Sequence, residues 1–181
     1  MNLYPTEYEV PASKSNYFKP KQGDNVLRIL DIPILGWLAW ETVNGKDKPK
    51  RFRMSEKPVD LRPFKRQEVK HFQAFIVWGY EEQAVQIWEI TQKSIMEALQ
   101  NLYKDEDWGD FREYDLKINR TGEDLDTKYV VSPKPKKTMP EQALTALLDR
   151  PVKLEALYEG LDPFDPNVKV TSVYDNDPLM D

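Results

Sequence analysis

Short apolar runs separated by turn residues dominate the first half of the chain, and this pattern predicts strands. Closely spaced β-branched and aromatic residues from Asp24 to Val43 predict one long strand, bent at Pro33 to Gly36. Asn44-Gly45 follows directly, and both positions tolerate the positive φ that a tight hairpin turn demands. We therefore predict a hairpin whose return strand covers residues 49–57.

The same reasoning predicts two further hairpins and two helices downstream. Residues 72–78 and 84–90 form one strand pair, and residues 114–118 and 128–132 form another. Between the pairs, apolar residues recur at helical spacing after a cap at Thr91 or Ser94. These are Ile95, Met96, Leu99, Leu102 and Tyr103. Thr138 and Glu141 have the spacing of a capping box, which predicts a second helix, with a shorter helical piece over residues 152–158.

A helix between the third and fourth main strands of a small curved sheet indicates a mainly β protein with an OB-fold. This fold is a five-stranded, partly open Greek-key barrel, here with one or two helices and an acidic C-terminal tail. An open α+β sheet is the alternative that the order of elements leaves open. The predicted organisation is an N-terminal arm (1–22), the OB domain (23–137), a helical extension (138–160) and the acidic tail (161–181).

The composition argues against an enzyme and against export. The absence of Cys removes disulfides, thiol nucleophiles and thiolate zinc sites, and suits a reducing cytoplasm. His71, the only His, has neither a Cys nor a suitably spaced carboxylate as a partner, and the 7 Gly are scattered singly, without a phosphate-binding loop. We expect no catalytic residues, no cofactor and no metal. The first residues do not resemble a signal peptide, and no apolar run is long enough for a membrane span.

The net charge of -5 conceals an uneven distribution. Residues 11–70 hold 14 Lys and Arg against 7 Asp and Glu, whereas residues 71–110 hold 2 against 8. Residues 111–140 hold 7 against 5, and residues 141–181 hold 3 against 9. The chain therefore has two basic, strand-rich blocks and an acidic C-terminal segment. Because the basic residues are clustered, the negative net charge does not exclude a nucleic-acid partner.

Aromatic residues interleaved with cations in the basic blocks indicate a surface for single-stranded nucleic acid. Cations neutralise successive phosphates, and flat rings stack on any base regardless of its identity. We expect a cleft formed by the first hairpin, the loop 58–70 and the turn after Trp78. The predicted DNA-binding residues are Trp37, Trp40, Lys48, Lys50, Arg51, Phe52, Arg53, Lys65, Arg66, Phe72, Trp78, Tyr80, Lys117, Arg120 and Lys128.

The segments WEITQKSIMEALQNLYKDEDWGD (88–110) and YDLKINRTGEDLDTKYVVSP (114–133) resemble the single-stranded-DNA-binding proteins of tailed bacteriophages, relatives of the T-even phage helix-destabilising protein. The opening YFKPKQGDNVLRIL with GWLAW is similar too, and the matches keep their order across residues 17–133. The resemblance implies an OB-fold, cooperative coating of single strands during replication and recombination, and an acidic tail that docks replication enzymes. The T-even member carries a zinc subdomain with Cys ligands that this chain lacks, so we expect no zinc.

The predicted function is sequence-tolerant binding and protection of single-stranded DNA in phage replication, recombination and repair, in the cytoplasm of the infected bacterial host. The alternative is an OB-type protein-interaction or recombination-mediator module with little DNA affinity. Binding of structured RNA is a third hypothesis. Phage or host replication proteins would dock on the tail residues Asp175, Asp177, Leu179, Met180 and Asp181.

Overall fold

The computed structural model describes residues 14–170, and its centre is a seven-stranded antiparallel sheet. The strands are β1 (Gly23–Ile29), β2 (Ile34–Val43), β3 (Lys46–Arg53), β4 (Val69–Gly79), β5 (Ala84–Ile90), β6 (Leu116–Thr121) and β7 (Lys128–Pro133). The helices are α1 (Lys93–Lys104) and α2 (Glu141–Asp149). The predicted mainly β class is confirmed.

The strands follow the spatial order β3-β2-β4-β1-β6-β7, and β5 pairs with β4 outside this path. β1 and β2 lie one after the other along the same edge of β4, because β2 pairs with residues 69–74 and β1 with residues 77–79. Leu30 keeps the connection in place by donating its backbone N–H to the carbonyl of Ile76. The predicted long bent strand is thus two consecutive strands, and the break falls at residues 30–33 rather than 33–36.

Side chains alternate between the two faces of the sheet, and each face buries its own core. On the face that we call the α1 face, Phe75, Val77 and Trp88 pack with Ile95 and Leu99 of the first helix. The opposite face, the α2 face, carries a second core. It contains Leu38, Phe72, Ile76, Trp78 and Ile87 together with Ala143, Leu154, Leu157 and Phe164.

The second helix begins at Glu141 after Pro140, and no side chain caps its first turn. The capping box predicted from Thr138 and Glu141 is therefore wrong. Pro140 is the N-cap residue, and its ring disfavours helical backbone at Met139, so the helix begins at Glu141 and not next to Thr138. A 3-10 segment, Leu154–Glu159, follows and confirms the short helical piece.

Residues 161–170, expected to begin the acidic tail, pack against the domain. Phe164 and Val168 are buried, and Lys153 donates to the carbonyl of Val168. Arg150 lies over the ring of Phe164 with its guanidinium carbon 4.3 Å from the centroid. The sequence of this stretch is acidic, yet its two buried apolar residues, Phe164 and Val168, attach it to the domain.

The described part of the N-terminal arm packs aromatic side chains on the domain. Backbone hydrogen bonds join Asn16 and Phe18 to Ile87 of β5. The ring of Phe18 meets Trp88 edge-on, with centroids 6.0 Å apart. No helix among residues 14–170 has the length and apolarity needed to cross a membrane.

Candidate nucleic-acid interface

The β2–β3 hairpin carries a row of lysines on the outer strand of the sheet. Asn44 and Gly45 adopt φ of 51° and 74°, which gives the tight turn predicted from their identities and fixes the register of the two strands. Lys46, Lys48 and Lys50 alternate along β3 and therefore share one face, the α1 face, where all three are exposed. We call these three residues the lysine strip.

The lysine strip leads into three rings that lie opposite one another on adjacent strands. Phe52 of β3 pairs with Trp37 of β2, and Trp37 pairs with His71 of β4. The Trp37 and His71 rings meet edge-on, with centroids 5.4 Å apart. All three side chains are half-buried, so part of each remains accessible. We call Phe52, Trp37 and His71 the aromatic row.

Hydrogen bonds to the backbone orient two of these rings. Trp37 donates from Nε1 to the carbonyl of Met54 at 3.1 Å. His71 Nδ1 lies 2.8 Å from the carbonyl oxygen of Gly36, and since a carbonyl only accepts, Nδ1 carries the proton. A side chain on Gly36 would collide with the carbonyl oxygen of Phe52 and approach the Phe72 ring to 2.9 Å. Glycine at this position therefore lets the three strands approach closely under the row.

Two lysines lie over two of these half-buried rings. Lys57 Nζ lies 4.1 Å from the Trp37 ring centroid, and Lys50 Nζ lies 5.7 Å from that of Phe52. Such contacts between an ammonium and an aromatic face are favourable by themselves. They also place a positive charge over each ring, and aromatic rings with cations close by are the combination that single-strand binding requires.

The loop before β4 supports this face from the side. Phe64 is buried and meets Phe52 edge-on, with centroids 5.8 Å apart. Arg66 and Gln67 adopt positive φ of 60° and 49°, a conformation that side chains with a Cβ rarely take. Lys65 forms an ion pair with Asp47 near the hairpin tip.

Trp40 lies on the opposite face from Trp37, because the two residues are three positions apart on one strand. It is 46% exposed and lines a separate pocket of about 320 Å³ with Leu38, Lys65, Arg66 and Lys70. Two carboxylates, Asp47 and Glu68, line the same pocket. The prediction of one cleft holding both tryptophans is therefore wrong.

The two arginines of β3 also point away from the lysine strip and make internal contacts. Arg51 forms a bidentate ion pair with Glu89, at 2.5 and 3.1 Å, and its side chain is only 10% exposed. Arg53 lies over the Tyr158 ring, with its guanidinium carbon 4.6 Å from the centroid. Their predicted role as phosphate contacts does not fit these positions, because both side chains lie on the α2 face, away from the lysine strip.

Three of the predicted aromatic contacts belong to the interior or to other networks. Phe72 and Trp78 are 0% and 3% exposed in the core of the α2 face, and no base could reach them. Tyr80 is half-buried and donates its hydroxyl to Asp115 at 2.8 Å. The turn after Trp78 therefore does not contribute to the cleft as predicted.

Lys117, Arg120 and Lys128 lie on β6 and β7, at the other end of the strand order from β3. Arg120 donates to the carbonyl of Pro20 at 3.1 Å, whereas Lys128 is exposed. The structure does not bring these residues to the hairpin. Lys46, Lys57 and His71 are not among the predicted DNA-binding residues, although the alternation of Lys46, Lys48 and Lys50 around Asp47 and Pro49 is visible in the sequence.

A buried charge network fixes β1 to the segment that precedes β6. Arg28 donates from Nε to Asp115 at 2.7 Å, and both side chains are at most 1% exposed. Burial raises the pKa of the Asp115 carboxyl, but hydrogen bonds from Lys137, Tyr80 and Arg28 outweigh that effect and hold the pKa below its usual value. This network lies away from the hairpin and has a structural role.

Within residues 14–170, no three His, Asp or Glu side chains lie close enough together to hold a metal ion. The predicted tail residues Asp175, Asp177, Leu179, Met180 and Asp181 lie outside the described part of the chain. No known protein-family profile matches this sequence, and no curated protein matches it.

Proposed function

We propose that the protein binds single-stranded DNA, with little regard to sequence, along the α1 face of the β2–β3 hairpin. The observation that carries this proposal is the alignment of the lysine strip with the aromatic row. In the proposed complex, Lys46, Lys48 and Lys50 contact successive phosphates, while Trp37 and Phe52 stack on bases. Duplex DNA presents no free base faces, so single strands are preferred.

The order of the strands supports an OB-fold as the scaffold. If β1 and β2 are taken as one bent strand, it lies between β4 and β6, and α1 connects β5 to β6. This is the arrangement with a helix between the third and fourth main strands, and β3 is then an additional hairpin strand. The proposed binding surface sits on that added hairpin.

The wider role is proposed from the sequence resemblance: protection of single strands in phage DNA replication, recombination and repair, in the cytoplasm of the infected host. The protein is then a binding protein and not an enzyme. Docking of replication proteins on the end of the chain belongs to the same proposal. The alternative, a protein-interaction module with little DNA affinity, makes a different prediction in the experiment below.

The direct test is a titration of intrinsic Trp fluorescence with a 20-residue oligo-dT and with a duplex of equal length, at several salt concentrations. We expect quenching by the single strand that weakens as salt rises, and much weaker binding of the duplex. Log affinity falls as log salt rises, and Lys48→Ala should make this slope less negative by about 0.7, the value for one single-strand phosphate.

Lys93→Ala is the matched control, since Lys93 is exposed on α1 and outside the proposed surface. Its salt slope should equal that of the unsubstituted protein. A folded protein that fails to bind oligo-dT at low salt would favour the protein-interaction module. Equal slopes for the two lysine variants would place the DNA elsewhere on the molecule.

A further inference from the structure

An open apolar groove of about 610 Å³ lies on the α1 face, between the first helix and the sheet. Phe75, Leu99 and Ile29 form its buried floor. Ile32 and Tyr103 line it while remaining 50% and 63% exposed. Large apolar side chains that share one concave surface are a common mark of an interaction site.

One face of α1 forms the helix side of the groove. Met96, Gln100 and Tyr103 are four and seven positions apart, so they share a helix face over two turns, about 10 Å. The sheet buries Ile95 and Leu99, Met96 is half-buried against the same core, and Gln100 and Tyr103 remain exposed. The apolar stripe of α1 is therefore wider than the core that it covers.

The rim of the groove is acidic. Asp31, Glu97 and Asp110 line it together with Arg112, which pairs with Asp110 at 2.6 Å. Lys93, one helical turn before Glu97, pairs with that carboxylate at 3.5 Å, so Asp31 is the rim acid without an ion pair among the described residues. Asp105, Glu106 and Asp107 are exposed and directly follow the helix, at the end where the helix dipole is negative. These acidic side chains repel phosphates. The groove meets the aromatic row at His71, which lines the groove as well.

We propose that this groove binds an amphipathic helix of a partner protein that carries Leu, Ile or Phe side chains on one face and Lys or Arg beside them. The apolar anchors enter between Tyr103 and Ile32, and the basic side chains meet the acidic rim. The chain's own first 13 residues do not fit this description, because they contain Glu7 and Glu9 and no Lys or Arg. The inference is independent of DNA binding.

The probe is a fluorescein-labelled 14-residue peptide of Leu and Lys with the leucines at helical spacing, measured by fluorescence anisotropy with the full chain. Two further peptides have Glu in place of Lys, or the same Leu and Lys in an order that forms no apolar face. We expect the first peptide to bind at least tenfold more tightly than either. Tyr103→Ser combined with Ile32→Ser should weaken its binding at least tenfold, and Asp31→Asn with Glu97→Gln should do so by several-fold.

Leu125→Ser combined with Leu148→Ser is the matched control, since both residues are exposed apolar side chains outside the groove. It should leave peptide affinity unchanged. The proposal is overturned if the groove variant binds the peptide as tightly as this control, or if the Glu peptide binds equally well. Oligo-dT affinity should be the same in the Tyr103→Ser, Ile32→Ser variant and in the Leu125→Ser, Leu148→Ser control. This comparison separates a failure of the peptide proposal from a failure of the proposed DNA binding.

Discussion

Trp37 and Trp40 lie on opposite faces of β2, so a single strand of DNA on one face of the hairpin contacts only one of them. Trp37 stands between Phe52 and His71, beside Lys57. Trp40 shares its pocket with two carboxylates as well as cations. The two tryptophans therefore test where the DNA lies.

Trp37→Leu should weaken binding of oligo-dT by about 1–3 kcal/mol, the range for losing one base–aromatic stack. Trp40→Leu should change the affinity less than twofold, because the proposed path of the DNA follows the other face of β2. Fluorescence-polarisation titrations of labelled oligo-dT measure both, and circular dichroism checks that each variant is folded. If Trp40→Leu weakens oligo-dT binding as much as Trp37→Leu does, the bound DNA must cross the edge of the sheet and contact both faces.

Arg51→Ala should reduce stability without changing the salt dependence of DNA binding. Removing the guanidinium leaves the Glu89 carboxylate, 18% exposed, without its partner, at a cost of about 1–3 kcal/mol in the free energy of unfolding. Urea denaturation measures this change. The double variant Arg51→Ala, Glu89→Ala should lose less than the sum of the two single variants, as expected for a coupled pair. If Arg51→Ala leaves the free energy of unfolding unchanged but makes DNA affinity less dependent on salt, Arg51 contacts DNA after all.

The Asp115 network should make stability depend on pH in the acid range. The folded-state pKa of Asp115 is lower than its unfolded value, so its stabilising contribution is complete above the unfolded pKa, about 3.9, and is lost as the pH falls through the folded value. Asp115→Asn leaves Arg28 buried without a counter-charge and should cost about 3–5 kcal/mol at pH 7.

Urea denaturation at pH 7, 5, 4 and 3 measures the difference between Asp115→Asn and the unsubstituted protein, and that difference should shrink toward low pH. Asp60→Asn is the control, because Asp60 pairs with Arg62 on the exposed surface and its loss should have little effect at any pH. A difference for Asp115→Asn that stays constant from pH 7 to pH 3 would contradict the role assigned to its charge.

Local elements of this fold could be predicted because their signals are local. Asn44-Gly45 sets a turn through its own backbone preferences, and α1 begins and ends close to the predicted residues because its apolar spacing is regular. Residues 84–90 match β5 at both ends. The same local reasoning failed at Thr138, where the Pro at position 140 decides the start of the helix.

The candidate site was harder to predict, because it depends on which face of a strand is covered. Trp78 looked available, yet β4 has neighbours on both edges and helices over both faces, so residues 74–79 are all buried. The unbroken apolar run AFIVW was the available signal, since a strand covered on both faces does not alternate. Arg51 could not be placed from the sequence, because its partner Glu89 is 38 positions away.

β3 has no strand beyond it within the described part of the chain, so one edge of its backbone is open to pairing with another molecule. Lys46, Lys48 and Lys50, together with Pro49, make that edge a poor template, because the charges repel a second copy and the proline offers no N–H. In the proposed complex, phosphates neutralise these lysines while the nucleic acid itself covers the strip. The three charges and the missing N–H thus disfavour edge-to-edge pairing between free copies of the chain.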